Sequence, residues 1–258
     1  MGPSNKKTKQ IEIENFPPIG GLMVSKMITE EHKKPMFMYR DKRSSPEDSG
    51  WRIFSGFESD EYTNDPKNAG IYNPSTILAI DPSIAELLLK GGFGSVFERK
   101  SAKSPWYKVT DFPLEDDYMV RHRLTEQWEL EINNLFERKI EKDGSLFYTT
   151  GDKSLRLTIW NYDNKTKAEI YAEKKQDVAS RDESRAKTLK TFDFSDSKVA
   201  RIGYMIKESD ENREYNVIYG FSIIDNQVVM SALYFDEEEE LTWAIETWKG
   251  IKLTAGTA

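Results

Sequence analysis

Apolar and polar positions alternate most clearly in the C-terminal half of the chain. Leu155, Leu157 and Ile159 are interleaved with Arg156, Thr158 and Trp160, the period-two pattern of a strand with one buried face. Val217 to Ile224 and Val228 to Phe235 are two further strand-like runs around Asp225-Asn226. Those two residue types tolerate the positive φ of a tight turn, so the segment predicts a hairpin. Asp236 to Glu240 then places negative side chains where a helix dipole is positive, and Leu241, Ala244, Ile245 and Trp248 form the apolar stripe of a terminal helix. A charged helix with a thin apolar face is expected from about Ala168 to Lys187.

Turn formers set a different pattern before Thr110. Short strands are expected over Leu22 to Met27 and Pro35 to Tyr39, separated by the charged turn Thr29 to Lys34, with a third beginning at Trp51, Ile53 and Phe54. Helices should be few here. One starts at Asp81-Pro82-Ser83-Ile84, where Asp caps the first turn and Pro occupies the first helical position, and it stops at Gly91-Gly92. Ile84, Leu87 and Leu88 share a face that should pack on the sheet. These patterns predict an α+β protein of two domains, each a mainly antiparallel sheet with helices packed on it. A flexible tail is expected over residues 1–18, a first domain over 19–108 and a second over 109–258. The polar stretch Lys100 to Lys108 serves as the joint.

Charge sharpens this division. Residues to Thr110 hold 16 basic and 14 acidic side chains, net +2, and the remainder 21 and 30, net −9, giving −7 overall. The absence of Cys excludes disulfides, thiol nucleophiles and thiolate metal sites, and only two His, at 32 and 122, are available for imidazole chemistry. The longest uncharged stretch, Asn68 to Ile80, is too short and polar to span a bilayer. Lys6, Lys7 and Lys9 are followed by Glu12, Glu14, Pro17 and Pro18 rather than by the apolar core of a secretory signal, so cytoplasmic residence is the expectation.

Few motifs carry chemistry. Gly91-Gly92-Phe93-Gly94-Ser95 lacks the Lys and the strand-to-helix setting of a phosphate loop and reads as a cap and turn. Glu58 to Asp65 has the oxygens but not the spacing of a calcium loop. His32 sits among charges in a surface turn, and His122 lies between Arg121 and Arg123 without a nearby carboxylate. No serine-hydrolase elbow occurs. No catalytic residue, metal ligand or cofactor is therefore assigned. Interspersed charges and a negative total make nucleic acid a poor partner.

One region stands apart. Met38-Tyr39-Arg40 is followed by Pro46-Glu47-Asp48-Ser49-Gly50-Trp51-Arg52-Ile53-Phe54-Ser55-Gly56, by Asp60-Glu61-Tyr62, Asp65-Pro66, Asn68 and Gly70-Ile71-Tyr72, and later by Gly94-Ser95-Val96-Phe97-Glu98-Arg99. This order resembles the bacterial immunity-protein family numbered thirty-three, found beside polymorphic toxins, over about residues 20–99. Lys90 to Phe93 depart from the shorter connection expected there. The resemblance implies a non-enzymatic antidote that binds a cognate toxin in the cytoplasm.

From Glu47 to Asp65 there are six acids against one base, Arg52, a local −5 that would steer a basic partner. The candidate contact residues are Asp48, Trp51, Arg52, Glu58, Asp60, Glu61, Tyr62, Asp65 and Tyr72, with the rings as anchors. For each of them a structural role competes: Gly50 and Gly56 as turn residues, Trp51 and Phe54 as core, Asp48 as a cap. Two other function classes stay open. One is a hydrolase using acids such as Asp48, Asp60 and Glu61, and the other is a small-ligand sensor with an apolar pocket at the domain joint. The second domain is similar in layout alone to sheet-and-helix modules of the PsbP-like type. The sequence leaves its role and the oligomeric state open.

Overall fold

A computed structural model describes residues 16–210 and 213–254; most of the tail expected over 1–18 lies outside the described residues. The chain divides into two compact units between Asp116 and Asp117.

The first unit is built on a six-stranded sheet. Its strands are β1 (Gly21–Ser25), β2 (Phe37–Arg40), β3 (Asp48–Phe54), β4 (Ala69–Tyr72), β5 (Val96–Glu98) and β6 (Tyr107–Lys108), in the order β4-β1-β3-β2-β5-β6. β1 and β3 run parallel; every other pair is antiparallel. Side-chain alternation separates two faces. Leu22, Val24, Met38, Trp51 and Ile53 point to one and are fully buried with Ile77, Leu78, Ile84 and Leu88. The other face carries Ile71, Met23, Arg52 and Tyr39 in register across β4, β1, β3 and β2.

Helices are short but more numerous than the turn formers suggest: α1 (Lys26–Thr29), α2 (Asp60–Thr63), α3 (Pro74–Ile80) and α4 (Ala85–Lys90). The strand expected to reach Met27 ends at Ser25, whose hydroxyl accepts from the Met27 amide and caps α1. α3 has the start signal found at Asp81-Pro82, with Asn73 as cap and Pro74 at its first position. At Asp81 itself the carboxylate accepts from Ser83 N at 3.0 Å and opens a single 3-10 turn, Pro82–Ile84, before α4. Gly91 ends α4 as expected, although its φ is an ordinary −70°. Glycine is required by crowding, since a Cβ there would lie 2.7 Å from the Trp51 ring.

The second unit contains β7 (Met119–Arg123), β8 (Trp128–Asn133), β9 (Glu137–Ile140), β10 (Leu146–Thr149), β11 (Ser154–Asn161), α5 (Lys167–Ala179), β12 (Thr188–Asp193), β13 (Ala200–Ser209), β14 (Glu214–Ile224), β15 (Gln227–Phe235), α6 (Leu241–Lys249) and β16 (Ile251–Leu253). Seven strands form an antiparallel sheet in the order β12-β13-β14-β15-β11-β10-β9, and three more pair as β16-β8-β7. The hairpin at Asp225-Asn226 is present, with Asp225 at φ 42°. Trp248 of α6 is fully buried and donates through Nε1 to Ser222 Oγ at 3.0 Å.

α5 is shorter than the charged helix expected to Lys187. A capping box between Thr166 and Glu169 starts it, and Ile170 and Val178 bury its thin apolar face. Beyond Ala179 the side chains of Asp182 and Glu183 accept from the backbone amides of Ser184 and Thr188, both at 2.9 Å, giving the chain a non-helical alternative where no apolar stripe continues.

Candidate partner-binding surface

The pieces Met38-Tyr39-Arg40, Asp48 to Arg52 and Gly91 to Phe93 are fastened to one another. Arg40 donates from Nε to Ser49 O at 2.9 Å and from Nη1 to Gly91 O at 2.7 Å, and its guanidinium lies 4.7 Å from the Phe93 ring. Ser49 Oγ donates to Gly21 O at 2.6 Å, joining β3 to the start of β1. Gly50 has φ +81°, and a Cβ on it would sit 2.2 Å from Asp41 O. Arg99 is almost wholly buried; it pairs with Asp81 and donates through Nε to Pro35 O at 2.7 Å. These side chains hold the unit together.

Three of the candidate contact residues are engaged within the unit. Trp51 points inward with 0% exposure, donates from Nε1 to Leu88 O at 3.3 Å and stacks on Phe97. A ring so enclosed belongs to the core. Asp48 and Arg52 form a two-pronged ion pair, with both oxygens of the carboxylate 2.9 Å from the guanidinium, and their side chains are only 13% and 11% exposed. Burial presses the Asp48 pKa upward, but the hydrogen bonds from Arg52 and from the Ser44 and Gly50 amides outweigh it and hold the carboxyl well below its usual range. Such a group is a poor proton donor.

Glu58 also turns toward its own chain. It accepts from Ser55 N and Oγ at 2.9 Å and from Phe57 N at 3.1 Å. Burial raises its pKa, and hydrogen bonds, first from the Ser25 hydroxyl, lower it to a net downward shift. Tyr72 is half-buried, with its hydroxyl accepting from Thr29 Oγ1 at 3.0 Å.

Four candidates remain together on one loop. Ser59 caps α2 by accepting from Tyr62 N at 3.2 Å, which places Asp60 and Glu61 in the first turn of the helix, both exposed. Asp65 is exposed and accepts from Lys67 N at 3.0 Å. Tyr62 is half-buried: Asn68 Nδ2 donates to its carbonyl at 3.0 Å, and its hydroxyl reaches Asn68 O at 3.5 Å. Ser59, Glu61, Tyr62, Asn64, Asp65 and Asn68 line an open recess of about 660 Å³. With Asp48 neutralised and Glu58 engaged, the carboxylates presented outward between 47 and 65 are Glu47, Asp60, Glu61 and Asp65, a charge of −4.

Sequence reasoning overlooks the second sheet face. Phe37, Tyr39, Phe54 and Phe112 cluster there with ring centroids 5.0 to 6.3 Å apart. The signal is available in Phe37 and Tyr39 flanking Met38, since alternate residues of a strand share a face. Ile71, 67% exposed on β4, is overlooked as well. Among the described residues no group of three or more His, Asp and Glu side chains is placed to hold a metal ion, and no helix is long and apolar enough to cross a membrane.

No curated protein matches the chain. The solution structure of cyanobacterial PsbP (CyanoP) from Synechocystis sp. PCC 6803 aligns over 57% of this chain and 97% of that one at 9% identity, with a TM-score of 0.41, too slight a likeness to bear on function. The segment containing the six-stranded sheet, the Asp48–Arg52 pair and the acidic loop is more informative: residues 22–110 match the family model of the Immunity protein Imm33 domain, in agreement with the resemblance in the sequence.

Proposed function

We propose that this protein is a non-enzymatic, cytoplasmic immunity-type protein that binds a cognate toxin and neutralises it by covering its active site or substrate path. The observation that carries the proposal is the match of residues 22–110 to the Imm33 immunity-protein domain, a family whose members imply a toxin partner. On this reading the toxin contacts the loop Ser59–Asn68, a choice supported by Asp60, Glu61 and Asp65 facing solvent beside Tyr62. A toxin domain that attacks nucleic acid is typically basic. An outward acidic patch on its antidote would raise the encounter rate, and a partly exposed ring would give the docked state an apolar anchor.

The test uses the full chain and the toxin encoded beside it, mixed as purified proteins. A stoichiometric complex, together with loss of the toxin's activity at equimolar antidote, is the expected outcome. Absence of a complex, or turnover of a small substrate by the purified chain alone, overturns the proposal.

A further inference from the structure

The edges of the three sheets differ in one respect. Among the described residues, edge strands β6, β7, β9, β12 and β16 each carry at least one Lys or Arg: Lys108, Arg121 and Arg123, Arg138 and Lys139, Lys190, and Lys252. A charge on an edge strand discourages another strand from pairing with it. β4, Ala69-Gly70-Ile71-Tyr72, carries none, pairs only with β1, and presents Ile71 at 67% exposure.

Two recesses lie at the two ends of this strand. At its start lies the acidic recess of α2, tied to the strand through the Asn68–Tyr62 hydrogen bonds. At its end an open cleft of about 570 Å³ runs between Phe16–Gly21 and Ile71–Ser75, with Phe16, Pro17, Pro18 and Ile19 on one wall. Four residues at about 3.3 Å each separate the two by roughly 13 Å.

We infer that β4 receives an extended, basic segment of the toxin by strand addition, so that the partner becomes a seventh strand of the sheet. The inference rests on the toxin-binding reading and specifies its mode. Backbone hydrogen bonds along Ala69–Tyr72 supply register. A Lys or Arg of the added strand enters the recess of Glu61 and Asp65, and an apolar side chain about four residues away enters the cleft beside Phe16 and Pro18. Charge complementarity selects this occupant over a second copy of the chain, which would bring its own carboxylates to the same edge.

The experiment measures amide hydrogen exchange of the full chain, free and in complex with the toxin encoded beside it, together with the affinities of Ile71→Lys and Ile140→Lys. Ile140, 70% exposed on edge strand β9 of the other unit, is the control. Exchange over residues 69–72 should slow by about tenfold or more in the complex. Ile71→Lys should raise Kd by about tenfold, and Ile140→Lys should leave it unchanged. A complex that forms with unaltered exchange at 69–72 and unaltered affinity for Ile71→Lys overturns strand addition and leaves the toxin reading standing. A dimer of the chain alone that Ile71→Lys dissolves overturns it in favour of a second copy. Failure of the wild-type chain to bind the toxin at all removes both readings.

Discussion

Trp51 separates a folding role from a recognition role better than any other residue of the N-terminal unit. Its side chain is fully enclosed, touches α4 through the Leu88 carbonyl, and occupies the space that a side chain on Gly91 would fill. Removing a buried ring of this size costs about 3–5 kcal/mol, of which the lost Nε1 hydrogen bond accounts for roughly 1 kcal/mol. Against a whole-domain stability of about 5–15 kcal/mol, Trp51→Ala should remove a large share of what holds the unit folded at 25 °C. Trp51→Phe keeps most of the apolar volume and should cost about 1–2 kcal/mol, which lowers Tm by roughly 4–15 °C for a domain of this size. The assay is urea unfolding followed by circular dichroism, with amide exchange of β3 as the local readout. Toxin affinity is measured under conditions where the Phe variant is still folded. Lower stability with unchanged affinity is expected. Unchanged stability with lost affinity would show that Trp51 is a contact residue and refute the packing argument.

Two further outcomes follow from the same strand. Gly50→Ala forces a Cβ onto the Asp41 carbonyl at positive φ, so it should destabilise the unit by about 2 kcal/mol or more in the same urea experiment, whereas a residue free to adopt an ordinary φ would tolerate Ala. Asp48 has a folded-state pKa depressed below its unfolded value, so its contribution is complete above the ordinary carboxylate range and is lost as pH falls through and below it. Asp48→Asn should therefore be less stable than wild type at pH 7, by about 2 kcal/mol, and should show a shallower loss of stability between pH 4 and pH 2; parallel pH profiles would contradict the ion-pair account.

Much of this architecture is written locally. The Asp225-Asn226 turn, the Asp81-Pro82 start and the alternation of Leu155, Leu157 and Ile159 depend on short-range sterics and period, and all three appear in the structure. The length of α5 does not follow from composition, because Asp182 and Glu183 stop the helix by capturing backbone amides, and helix-forming residues nearby give no sign of that competition. The candidate surface was half legible. A count of acids between Glu47 and Asp65 finds the charge, but the orientation of each carboxylate depends on contacts distant in sequence or specific in geometry. Glu58 turns toward Ser25 and Ser55, and Asp48 toward Arg52 four residues on in the same strand. The edge position of β4 is set by strand order, a long-range property: β1 must pair with β3 on one side and β4 on the other.

Stopped-flow association of the full chain with the toxin encoded beside it, across a range of salt concentrations, tests the docking claim most directly. Asp60→Lys with Glu61→Lys takes the outward charge of the four carboxylates from −4 to 0 while changing two exposed side chains. The wild-type rate constant should fall steeply as salt rises, and the double variant should associate about tenfold more slowly at low salt with a flattened dependence. Equal rates and equal salt slopes for the two proteins would place the toxin on another surface.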